Sequence, residues 1–119
     1  MTASHYHLDS LTVLVDRNSL QAMGRTEDRM GVEPFAAKWQ AFGWATREID
    51  GHDMRQICDA LDEASAEGGR PSAIIAHTVK GKGVPFMEGD ASFHNVAVTA
   101  QQLAEAEAAL AASLDAMRD

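Results

Sequence analysis

The sequence predicts an α/β fold of three layers, a parallel sheet with helices flanking it. Three observations predict this class. Short apolar, β-rich runs alternate with stretches of helical periodicity along the chain. Their order is strand, helix, strand, helix, strand, helix, the pattern of parallel strands joined by right-handed crossovers. The strand runs are led by "LTVLV", apolar on both faces as in a strand covered from both sides.

The elements follow in order. "MTASHYHLDSL" reads as the last turn of a helix leading into a strand near residues 10–16. "VEPFAAKWQAFGW" predicts a helix near 33–43, with Pro34 in its first turn, Phe35, Trp39 and Phe42 in one stripe, and Gly43 as its stop. Trp39 and Trp44 are expected in the core. "WATREID" is a second strand, near 44–50. A helix near 53–67 follows, with Asp53 as N-cap and an apolar face of Met54, Ile57, Cys58, Leu61 and Ala64; Gly68-Gly69 ends it. "SAIIAHTV" gives a third strand near 72–79, with His77 packed within it. After a long loop, an Ala-rich helix is predicted near 99–117, capped by Thr99 and striped by Leu103, Leu110, Leu114 and Met117.

A chain of 119 residues is at most one small domain. No run approaches the roughly 20 apolar residues of a membrane helix. The N-terminus has no basic region and no apolar signal core, so secretion is not expected. Cys58 is the only cysteine, which excludes an internal disulfide and fits a reducing, cytoplasmic setting. A formal charge of -8 argues against general nucleic-acid affinity, which needs clustered Lys and Arg.

Ligands of parallel α/β sheets bind outside the carboxyl ends of the strands. The loops after the first and third strands, "DRNSLQAMG" and "KGKGVPFMEGDASFHN", are therefore the places to search. In the first, Asn18 either caps a turn or gives an oxygen to a cation, with a backbone carbonyl as a second ligand. In the second, glycines and two lysines can bring N–H groups and ammonium charge to phosphate, or form a plain solvated turn. His94 has the chemistry for proton transfer near neutral pH, or is an ordinary loop histidine. His52 suits a structural or solvent role, His5 and His7 none, and Cys58 a core position.

Three stretches together are more specific than these loops. "HLDSLTVLVDRNSLQAMGRTEDRM", "EPFAAKWQAFGWATREIDGHD" and "RPSAIIAHTVKGKGVPFME" run in order through nearly the whole sequence. They resemble the N-terminal, thiamine-diphosphate-binding region of transketolases, especially those made as two subunits. The resemblance implies a partial domain of that kind over residues 1–119, with thiamine diphosphate and Mg²⁺ (or Ca²⁺) as cofactors. It implies that Asn18 gives a side-chain oxygen and Leu20 its carbonyl to the metal. It places Lys80 near the cofactor and substrate channel. His94 matches the His of a family Trp-His-Gly stretch, which contacts the diphosphate and handles protons. Phe93 and Asn95 depart from that stretch, and Met23 stands where relatives commonly have Asp.

The reaction so implied transfers two-carbon ketol units between sugar phosphates, as in the pentose phosphate pathway. The family motif opens with Gly-Asp-Gly, which this sequence lacks. The chain therefore reads as a fragment, or as one subunit whose missing piece comes from elsewhere. A pyrimidine-binding transketolase C-terminal subunit is the expected partner, in a homo- or hetero-oligomer, and catalysis by this chain alone is not expected. Three strands also leave both edges of the sheet open. The alternatives are a degenerate, non-catalytic α/β module, or a subunit of another thiamine-diphosphate enzyme such as deoxyxylulose-phosphate synthase. "GRTED" and "KGKGVPFME" favour transketolase.

Overall fold

The computed structural model describes residues 1–116 and 118. Its chain forms two compact units, one of residues 1–18 and 30–78, the other of residues 19–29 and the chain from Val79 onward.

The first unit is built on a parallel sheet. A single turn, α1 (Thr2–His5), leads to β1 (Thr12–Arg17); after α3 (Phe35–Ala41) come β4 (Ala45–Asp50), α4 (Met54–Ala66) and β5 (Ser72–His77). The strand order is β1-β5-β4, and both pairings are parallel. Helix α4 packs on one face, where Ile49, Ala60, Ala64, Ile74 and Ala76 form a core joined by Ile57. Helix α3 packs along β4, and Trp39 stands edge-on to Trp44 at 4.9 Å between ring centroids. Ile75, on the face away from α4, is completely buried.

Local chemistry sets the element ends. The Asp53 carboxylate accepts N–H bonds from Arg55 and Gln56, satisfying donors that a helix start leaves free. Gly43 follows α3 at φ +82°, a left-handed conformation open to glycine. The N-terminal segment is tied down at the turn before β5. His7 Nδ1 donates to the Gly69 carbonyl at 2.8 Å, and Asp9 accepts the Gly69 N–H at 3.2 Å.

Four expectations are corrected here. The first strand is covered on one side only. Val13 and Val15 are half-buried, but Leu14 is 56% exposed, because α4 covers β4 and β5 and does not reach the end of the sheet. On α4, only Ile57, Ala60 and Ala64 turn inward, and Met54, Cys58 and Leu61 are exposed. The small alanines let the helix sit close, and Met54, Cys58 and Leu61 fall on its outer side. His77 is not packed: it lies exposed at the strand end, with Nε2 2.7 Å from Glu48 Oε2 on β4. Phe42 likewise ends half exposed.

Between α4 and the sheet, small side chains leave a cavity of about 180 Å³. Its lining includes Ser72, and the Ser72 hydroxyl oxygen is buried with no hydrogen-bond partner among the described residues.

The second unit contains a hairpin that the sequence pattern did not suggest. Strands β2 (Leu20–Gln21) and β3 (Gly24–Arg25) pair antiparallel and lead into the single turn α2 (Thr26–Arg29). The unit also holds a 3₁₀ turn (Ala91–His94) and α5 (Ala100–Ala116). Thr99 and Gln102 cap α5 reciprocally, each side chain accepting the other's N–H. Leu103, Leu110 and Leu114 are about half exposed on α5, and Met117 lies outside the described residues.

Candidate functional site

The carboxyl ends of β1 and β5 lie side by side. Arg17 and His77 are the last register partners, so the chain leaves the sheet at Asn18 and at Thr78 from the same rim. Two contacts hold the end of β1. Thr78 donates its hydroxyl to the Asp16 carboxylate, and its N–H to the Arg17 carbonyl at 3.4 Å. On the other side of the strand, Arg17 turns its guanidinium to Glu33. Nη2 stands 2.7 Å and Nε 3.3 Å from the same oxygen, Oε1. The second oxygen, Oε2, accepts the Phe35 N–H at 2.8 Å.

Those contacts hold the Glu33 carboxyl below its ordinary pKa, the Phe35 N–H contributing most and the Arg17 hydrogen bond next. Arg17 is buried, 9% exposed, while Glu33 remains half exposed. Asp16 and Arg17 secure the strand end from opposite faces, and Asn18 follows at the rim.

Leu20, Lys80 and His94 belong to the second unit. Ser19 precedes Leu20 at φ +62°, turning the chain sharply. The Ser19 carbonyl is taken by Thr26, through both its N–H at 3.0 Å and its hydroxyl at 3.3 Å. The hairpin opened by Leu20 packs against the 3₁₀ turn that carries His94. Met23, in place of the expected Asp, exposes its side chain while its carbonyl accepts from Arg29 Nη2 at 3.0 Å.

The "KGKG" loop closes on itself. Gly89 N–H donates to the Lys80 carbonyl at 2.8 Å, and Lys82 pairs with Glu88 at 2.9 Å. The charge of Lys82 is therefore partly answered within the loop. Lys80 is half-buried, and its ammonium helps to lower the pKa of Asp90. The larger cause there is the Ser92 N–H, which Asp90 accepts as N-cap of the 3₁₀ turn. His94 is exposed. Phe93 is half-buried against Phe86, with ring centroids 5.7 Å apart. Asn95 has φ -143° and ψ 39°, a negative φ outside the left-handed region, so this position does not call for glycine's positive-φ freedom.

Among the described residues there is no cluster of three or more His, Cys, Asp or Glu able to hold a metal ion. Taken singly, Asn18 carries an amide oxygen and Leu20 a backbone carbonyl, neutral and hard donors of the type that Mg²⁺ and Ca²⁺ take. The residues missed in the sequence are Arg17, Glu33 and Thr78. The signal for Arg17 was faint: a charged residue in the inward phase of an apolar strand, which stays buried only when paired.

A family model described as "Transketolase, thiamine diphosphate binding domain" matches residues 1–116. One of the subunits of the apulose-4-phosphate transketolase of Phocaeicola vulgatus is 41% identical over 106 residues, covering 89% of this chain and 38% of that protein. The 6-deoxy-6-sulfo-D-fructose transketolase subunit SqwG of a Clostridium species is 39% identical over 110 residues, covering 92% and 40%. Among solved structures, transketolase from Campylobacter jejuni superposes with a TM-score of 0.83 at 28% identity, covering 91% of this chain and 17% of that one. Transketolase from Leishmania mexicana gives 0.84 at 26% identity, covering 92% and 16%. The chain thus spans less than half the length of these curated relatives.

Proposed function

We propose that this chain, which belongs to the transketolase family through its thiamine-diphosphate-binding domain, supplies the diphosphate and metal end of a two-carbon transfer site. The observation that carries the reading is the family match over residues 1–116, within which "DRN" stands at the carboxyl rim of the sheet. Asn18 and the Leu20 carbonyl would hold Mg²⁺ or Ca²⁺. Lys80 would set a positive charge at the channel, and His94 would bind the diphosphate and move a proton.

The bound cofactor would supply a thiazolium ring, an electron sink for the carbanion formed when a ketose is cleaved. The work of this chain is positioning and charge. Neutral oxygens at Asn18 and Leu20 leave the dication free to neutralise the diphosphate. The imidazole of His94 can give or take a proton near neutral pH. Two of the relatives are named for sugars that bear a phosphate or a sulfo group. A ketose with a terminal oxyanion is accordingly the proposed substrate class.

The relatives named as subunits also support assembly with a separate pyrimidine-binding subunit. The test is ketol transfer by the chain combined with a segment carrying Gly-Asp-Gly and with that subunit. Activity that falls at least tenfold in Asn18→Ala supports the reading. A fully reconstituted assembly without activity favours a non-catalytic module.

A further inference from the structure

Asn18 follows a strand end that is held with unusual care. Among the described residues, Arg17 and Ser72 are the polar members of the buried set. A buried guanidinium is tolerated when a carboxylate answers it. Here the answering group is Glu33, fifteen residues beyond Asn18, shortly before α3. Glu33 does two things at once. Oε1 takes Nε and Nη2 of Arg17, and Oε2 takes the N–H of Phe35 at the start of α3. One carboxylate therefore ties the last residue of β1 to the first turn of a helix that packs along β4. On the opposite face of β1, Thr78 ties Asp16 to the end of β5.

We propose that the Arg17–Glu33 pair is a positioning device for Asn18. It fixes the last peptide of β1 so that the Asn18 amide stands at the rim in a single orientation before any ligand arrives. The value of the pair toward a metal rests on the proposed function, and its value as a clamp does not. A ligand held ready loses less conformational freedom on binding than one that must be ordered at that moment. Arg17 and Glu33 need not touch the metal or the cofactor.

Glu33→Gln separates the clamp from simple packing. Glutamine keeps the size of the side chain but has one oxygen, so it serves Arg17 or the Phe35 N–H and not both. The backbone order parameter of Asn18 in the free ¹⁵N-labelled chain is the readout. It is expected to fall from about 0.85, the rigid range, to below about 0.6 in Glu33→Gln, with that of Ile75 unchanged. Arg17→Lys keeps the charge but loses the two-nitrogen contact, and an intermediate value is expected. An unchanged Asn18 in both folded variants overturns the proposal, as does an equal loss of order at Ile75. If Glu33→Gln does not fold, Arg17→Lys decides alone, and an unchanged Asn18 there overturns the proposal. A second arm adds Mn²⁺ with thiamine diphosphate to the chain combined with a Gly-Asp-Gly segment and the pyrimidine-binding subunit, and follows broadening of the Asn18 side-chain amide. Absence of broadening there counts against the metal reading and leaves the clamp to be judged by the order parameters.

Discussion

Gly81 lies against the carbonyl of Met87: a Cβ built on Gly81 would stand 2.7 Å from that oxygen. Its φ is +72°, in the left-handed region that side chains disfavour. Both facts point to the same outcome. Gly81→Ala should destabilise the "KGKG" loop by about 1–3 kcal/mol, from backbone conformation and overpacking together. The check is amide exchange at Gly89, whose N–H closes the loop on Lys80. Gly68→Ala is the control, since nothing lies within 4 Å of its Cβ position. A protected Gly89 amide in Gly81→Ala would show that the loop yields without cost.

Ser72 gives a prediction of opposite sign. Its hydroxyl oxygen is buried and makes no hydrogen bond among the described residues. A buried polar group without a partner costs stability. Ser72→Ala should therefore be neutral or stabilising, by up to about 1 kcal/mol in urea unfolding. A loss of more than about 1 kcal/mol would mean that the hydroxyl is satisfied within the cavity beside it.

Acid should weaken the fold through three carboxylates. The pKa values of Glu33, Asp53 and Asp90 are all lowered, mainly by the Phe35 N–H, the Gln56 side chain and the Ser92 N–H respectively. A carboxylate whose pKa is lowered on folding stabilises the folded state above its ordinary value, and that contribution is lost as pH falls through the folded value. Stability should thus be insensitive to these groups above pH 4.5, the ordinary value for Glu33, and decline below it. Urea midpoints between pH 7 and pH 3 measure this. Glu33→Gln should flatten part of the decline, and an unchanged slope would remove Glu33 from the account.

Much of the fold was legible because periodicity and caps agreed. Asp53, Thr99 and Gly43 each stand where the chemistry of helix ends puts them, and "SAIIA" is buried as its composition implies. What was not legible depends on neighbours distant in sequence. Leu14 reads as core, but its exposure is decided by how far α4 reaches across the sheet. Cys58 and Leu61 fit a helical stripe as well as Ile57 does, and only the seating of two alanines selects the buried face. The β2–β3 hairpin is two residues long on each side, too short to leave a pattern. Asn18, Leu20, Lys80 and His94 were drawn to attention by loop position and resemblance. Arg17 carried only the faint signal of a charge in the inward phase of a strand, and Glu33 none, because their pairing spans sixteen positions.

The central claim is that this chain holds one part of a divided cofactor site. On the proposed reading Asn18 and Leu20 would offer two neutral oxygens, whereas Mg²⁺ takes six ligands in a tight octahedron. The sequence has no Gly-Asp-Gly to add an acidic ligand. Calorimetric titration of the isolated chain with thiamine diphosphate and Mg²⁺ tests this most directly. It should be repeated with a Gly-Asp-Gly segment and the pyrimidine-binding subunit present. The account predicts no micromolar binding by the chain alone and binding on restoration. Micromolar binding by the isolated chain would contradict it, because the site would then be complete within these residues.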